Sequence, residues 1–153
     1  MAGCANAQHQ SEATRPDAPT AGDSIPKVYL FKEISSENLV KIYQALGREA
    51  HGKVAVKLST GEPGGHNFLQ PALIKELVQL VNGTIVECNT AYGGGRSDTE
   101  SHRRAAANHG FTAIAPVDIM DAEGEVELPV TGGKHLTRDI VGKNFLNYDF
   151  TIV

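Results

Sequence analysis

Two glycine-rich stretches hold most of the side chains that could do chemistry. The first, Ser59-Thr60-Gly61-Glu62-Pro63-Gly64-Gly65-His66-Asn67, follows an apolar run ending in Lys57-Leu58. The second, Asn89-Thr90-Ala91-Tyr92-Gly93-Gly94-Gly95-Arg96-Ser97, lies between an apolar run and a helical pattern. Glycine lets backbone N–H groups come close to a ligand, and a helix that begins just after the loop adds a positive end. The expected ligand is therefore a small anion, phosphate or carboxylate. Its binding residues are read as Gly64, Gly65, Asn67, Asn89, Gly94, Gly95, Arg96, Ser97 and His102. Lys57, Glu62 and His66 are the candidate catalytic residues, because amine, carboxylate and imidazole are the usual carriers of protons. Lys57 has a second reading, as a side chain that reaches the rim or meets a carboxylate such as Glu62. Arg96 is expected to face the rim shared with His66 and Glu62 and to bind the anion there, with Glu62 and Glu100 as competing carboxylates. On that reading its removal leaves the ligand-free protein nearly as stable. Neither stretch is a nucleotide P-loop or a dinucleotide fingerprint, since the Gly-Lys-Ser/Thr and the G-x-G-x-x-G with an acidic partner are both missing. The alternative is that both are ordinary flexible connections.

A divalent metal is a second candidate ligand, with His66, His102 and His135 as its candidate residues. No H-x-x-x-H or H-E-x-x-H spacing occurs, so such a site would be assembled in space rather than along one helix. His109, before Gly110, reads as a helix C-terminal residue favourable to the dipole. Cys4 and Cys88 are too few for an iron–sulfur cluster, and none is expected. Cys88 reads as a small buried hydrophobe, and its neighbour Glu87 as leaning toward the sheet edge or Lys57.

The elements that must position these residues follow from periodicity. Lys27–Phe31 is a short β-rich run. Ser35 then caps a helix whose apolar face is Leu39, Ile42, Tyr43 and Leu46, with Ile34 stapled onto Leu39. Lys53–Leu58 and Thr84–Cys88 read as buried strands. Pro71 opens a helix between them with Leu73, Ile74, Leu77, Val78 and Val81 on one face. Ser97-x-x-Glu100 is a capping-box pattern for a third helix, ending at His109-Gly110. Val117–Met120 and Glu125–Val130 flank Asp121-Ala122-Glu123-Gly124 and read as a hairpin, and Asp149–Val153 as a last strand. The fold class is α/β: a mostly parallel sheet with flanking helices (βαβαβα), then a C-terminal β-hairpin and the final strand.

Composition narrows the partners. The chain has 153 residues, net charge −4, no tryptophan and 6% aromatics. Nucleic acid is not expected, because its recognition calls for a basic face or stacking aromatics. No apolar stretch approaches the ~18 residues of a membrane span. Residues 1–26 are poor in large apolar side chains and are expected to be a disordered leader before one α/β domain, residues 27–153. Ala2-Gly3-Cys4 resembles the end of a bacterial lipobox, and Ala5-Asn6-Ala7 an export cleavage site. Export to the cell envelope or periplasm is therefore expected, with membrane contact only through a lipid anchor at Cys4. The alternative is a cytoplasmic tail.

Three ordered motifs carry a family resemblance. The first is Val54-Ala55-Val56-Lys57-Leu58, Gly61-Glu62-Pro63-Gly64 and Asn67-Phe68-Leu69-Gln70-Pro71. The second is Asn89-Thr90-Ala91-Tyr92, Gly95-Arg96-Ser97, His102 and His109-Gly110-Phe111; the third is Gly132-Gly133-Lys134-His135. Together they resemble the bacterial and archaeal family known as domain of unknown function 362, whose members often carry the label of uncharacterised iron–sulfur centre proteins. The resemblance implies no established reaction. Ser59 and Thr60 stand where relatives usually carry His-Phe, and no cysteine cluster is present. The family domain usually continues past the final strand, so a fragment or shortened relative is expected. Two functions remain: an envelope enzyme acting on a small anionic substrate, metal-assisted or not, and a non-catalytic module that holds a ligand or partner.

Overall fold

The computed structural model describes residues 27–153. The expectations for the leader, its cleavage site and Cys4 lie outside the described residues. The rest is a mixed α/β fold with a four-stranded parallel sheet and a separate antiparallel pair of strands.

Helix α1 (Ser36–Ala45) starts where Ser35, in extended conformation, turns its hydroxyl back to accept the Asn38 N–H at 3.2 Å. Ile34 remains 85% exposed and contributes little of the expected staple. Strand β1 (Val54–Lys57) leads through the first glycine-rich loop to α2 (Pro71–Leu80), opened by a proline that has no N–H to leave unsatisfied. Strand β2 (Thr84–Glu87) leads through the second loop to α3 (Thr99–Asn108) and on to β3 (Val117–Ile119). These are two successive βαβ units, with Val56 beside Ile85 and Ile85 beside Val117. The last strand, β6 (Phe150–Ile152), returns to the other side of β1, placing Phe150 beside Val54 and giving the order β3-β2-β1-β6.

One face of the sheet carries Val54, Val56 and Ile85, packed against Ile74 and Val78 of α2 and Phe111, with Leu39 of α1 at the margin. Full burial of side chains of this size stabilises by roughly 1.5–3 kcal/mol each. The opposite face carries Ala55 and Val86, packed with Met120, Cys88 and Tyr148. There the Tyr148 hydroxyl donates to Asp118 at 2.9 Å. Burial first, and then that carboxylate, push the phenol well above its usual range.

Three sequence expectations change. Lys27–Phe31 forms no strand, because the place beside β1 that a preceding strand would take is filled by β6. Val117–Ile119 does not pair with the following strand. Its Ile119 is wholly buried, and its backbone joins the parallel sheet beside β2. The hairpin instead pairs β4 (Glu125–Pro129) with β5 (Arg138–Gly142), Glu125 lying opposite Gly142. Finally, α3 is capped by Asp98 rather than Ser97. Asp98 is extended and accepts the Ser101 N–H at 3.0 Å, while the Ser97 hydroxyl donates back to the Gly94 carbonyl at 2.8 Å. Aspartate caps as well as serine does, and its charge also suits the helix dipole. Glu100, released from the capping box, pairs with Arg104 one turn on.

Candidate functional site

The carboxyl ends of β1 and β2 open into the two glycine-rich loops, where open parallel sheets take their ligands. The centre of this region is Glu87, the last residue of β2. It is buried, and a buried carboxylate persists only with partners. Its Oε2 accepts from the Thr60 N–H at 2.9 Å, from the Thr60 hydroxyl at 2.6 Å and from His102 Nε2 at 3.1 Å. Its Oε1 accepts from Arg96 Nη1. Burial pushes the Glu87 carboxyl up, but hydrogen bonds from His102 and Thr60 outweigh it and hold it below the ordinary carboxylate value.

His102 reaches Glu87 from the second turn of α3 and is 0% exposed. Its other ring nitrogen, Nδ1, faces Asn89 Oδ1 at 3.3 Å, so both nitrogens meet oxygen. Asn89 is itself fixed, donating through Nδ2 to Thr99 and through its backbone N–H to Asp121, each at 2.9 Å. On the far side, His109 Nδ1 donates to the Thr60 carbonyl at 2.7 Å, and its ring stacks on Phe68 with centroids 4.1 Å apart. His109 therefore buttresses the first loop and does more than neutralise a helix end.

Arg96 bridges the buried centre and solvent. Only 7% of it is exposed. Its Nη1 faces Glu87 and Ser59, while Nε and Nη2 both donate to Glu62 Oε1, at 3.0 and 2.6 Å. The Tyr92 hydroxyl joins this outer edge, 3.0 Å from the same Glu62 oxygen and 3.2 Å from Arg96 Nη2. Hydrogen bonds from Arg96, and then Tyr92, hold the Glu62 carboxyl low. Burial draws the Arg96 guanidinium down, but the Glu62 hydrogen bond and the Glu87 charge more than restore it. Arg96 thus faces the rim with Glu62, one of its two expected competing carboxylates, on its outer edge, while Glu87 takes its inner edge.

The two loops touch. A side chain at Gly95 would collide with the ring of Pro63, so glycine there permits close packing of loop on loop. The same reasoning applies to Gly61, with φ of +82° and Phe68 only 2.6 Å from where a Cβ would sit. These two glycines serve the loops' own packing. Gly64, Gly65, Asn67, Gly94 and Ser97 are exposed on the two loops, with Glu62 Oε2 3.8 Å from the Cβ position of Gly94.

Of the sequence candidates, the structure brings Glu62, Asn89, Arg96 and His102 into one connected network. Lys57 is not in it: it shares the sheet face of Ala55 and Val86, opposite to the face that carries Ile85 and Glu87. His66 is exposed on the first loop and, among the described residues, makes no side-chain hydrogen bond. His135 lies on the exposed turn between β4 and β5. Among the described residues no three His, Cys, Asp or Glu side chains gather as a metal site requires. Sequence reasoning left Thr60 out of the site and read Glu87 as leaning toward the sheet edge or Lys57; alternation along β2 instead points it away from Lys57, to Thr60, Arg96 and His102. The available signal was a charged residue inside Ile85-Val86-Glu87-Cys88, a run too apolar to carry a glutamate without buried partners.

No curated protein and no solved structure matches the chain. The model of the family described as Domain of unknown function (DUF362) matches residues 54–153, from the first residue of β1 through both glycine-rich loops and β6. The chain belongs to the Domain of unknown function (DUF362) family.

Proposed function

We propose that this is a cell-envelope domain that binds a small oxyanion at the rim where Glu62, Tyr92 and Arg96 meet. The observation that carries this reading is the Arg96 guanidinium. It is held by Glu87 from below and presents Nε and Nη2 together toward an exposed loop. Two parallel N–H groups of one guanidinium match the oxygens of a carboxylate or phosphate. The surrounding glycines leave backbone close to that edge, and α3 begins three residues later. The separation of Lys57 and His66 from the network favours binding without chemistry over an enzyme built on Lys57, Glu62 and His66. The export-like leader supports the envelope location.

Titrating the isotopically labelled full chain with inorganic phosphate, followed by amide chemical shifts, tests the reading. Saturable shifts are expected within residues 59–67 and 89–97. No shifts, or shifts confined to another part of the sheet, would sink it.

A further inference from the structure

We propose that Glu62 is the specificity-determining residue of this rim: its carboxylate stands where the bound anion will stand, and a ligand enters by exchanging with it. This inference rests on the anion-binding reading above. A single oxygen, Glu62 Oε1, receives Arg96 Nε at 3.0 Å, Arg96 Nη2 at 2.6 Å and the Tyr92 hydroxyl at 3.0 Å. Three donors converging on one oxygen is the welcome a phosphate or carboxylate oxygen would receive, and here it is supplied to a side chain of the protein.

The two carboxylates on Arg96 are held very differently. Glu87 sits on a strand, is buried, and is tied to Thr60 through two hydrogen bonds and to His102 through a third. Glu62 is exposed, and among the described residues its carboxylate is held by Arg96 and Tyr92 alone. It rides on Gly61-Glu62-Pro63-Gly64-Gly65, where Gly61 and Gly64 have φ of +82° and +75°. The inner carboxylate is thus a fixed counter-ion and the outer one is replaceable. When Glu62 leaves, Glu87 still neutralises Arg96, so the guanidinium stays in place to receive the newcomer. An anion arriving while Glu62 remains meets a like charge on the same edge. Exchange therefore discriminates: a monocarboxylate merely replaces a carboxylate, whereas a phosphate brings more charge and more acceptor oxygens to the same three donors.

The test uses the full chain, with phosphate as probe and amide shifts of both loops as readout, in wild type, Glu62→Gln and Glu62→Ala. The alanine variant guards against a glutamine carbonyl that keeps Arg96 occupied. Removing the carboxylate should tighten phosphate roughly two- to fivefold, the scale of one partly exposed ion pair. Acetate, titrated in parallel, should bind the wild type more weakly than phosphate. Variants that bind phosphate where the wild type does not would overturn entry by exchange, because Glu62 would then close the rim rather than give way. Equal or weaker phosphate binding by both variants, with the wild type still binding at the loops, overturns the exchange and leaves the anion reading standing. No binding by any of the three chains overturns both.

Discussion

Arg96 and Glu87 are each other's condition for being buried. A charge taken from water is tolerated only when its partner stays, and breaking a buried pair by removing one member costs about 3–5 kcal/mol. Arg96→Ala is therefore expected to lower unfolding stability by about that amount, measured by urea titration, because Glu87 remains buried without its cation. A loss under about 1 kcal/mol would show that Thr60 and His102 suffice for Glu87. This reverses the sequence-based expectation that Arg96 could be removed at little cost. The same network sets a pH dependence. Glu87 is held below its ordinary value of 4.5. A depressed folded-state carboxyl stabilises above the unfolded value, and that stability is lost as pH falls through the folded value. Unfolding midpoints should thus drop as pH is taken below about 4.5, and Glu87→Gln should flatten that drop. Parallel declines in the two proteins would assign the acid sensitivity to other groups. The candidate site was half legible in the sequence. Glycines, Arg96 and Glu62 announce a rim by residue type, but the pairing of Arg96 with Glu87 spans two elements and depends on which way a strand residue points. A one-residue change of phase decides whether position 87 or position 88 faces α3.

The strands and helices show which signals hold locally and which do not. The helix opening at Pro71, the Asn82-Gly83 stop and the strand Thr84–Glu87 are legible because cap, breaker and periodicity act within a few residues. Asn82 takes a left-handed conformation, φ 48°, to end the helix sharply. Strand partners are less legible, since a short apolar run does not say what it lies beside. Lys27–Phe31 and Phe150–Ile152 are both β-rich, and only the second occupies the edge next to β1. That edge is anchored by more than strand pairing. The Asp149 carboxylate accepts the Lys53 N–H at 2.8 Å, and a Cβ at Gly52 would strike the Asp149 side chain. Phe150 and Ile152 also pack on the main apolar core. Deleting Asp149–Val153 is expected to abolish soluble, cooperatively unfolding protein, checked by expression and thermal melting. A deletion that melts cooperatively would show β6 to be dispensable.

At the level of the whole molecule, the sheet is assembled from two different reaches of chain. Strands β1, β2 and β3 follow one another through short crossovers, whereas β6 joins β1 only after the intervening chain has gone out through the β4–β5 hairpin and come back. The Lys53–Asp149 hydrogen bond spans 96 residues of sequence. Closing so long a loop costs entropy before any contact repays it, and pairings of this kind slow folding. During synthesis the consequence is a waiting time. At about 5–20 residues per second, β1 spends on the order of five to twenty seconds outside or near the ribosome with one side of its backbone unmatched. In that interval Val54 and Val56 belong to a nascent chain with an open edge, the form in which strands recruit the wrong partner. The order in which the strands are made thus leaves an interior strand of the finished sheet as its most vulnerable piece, and its last-made strand as its protector.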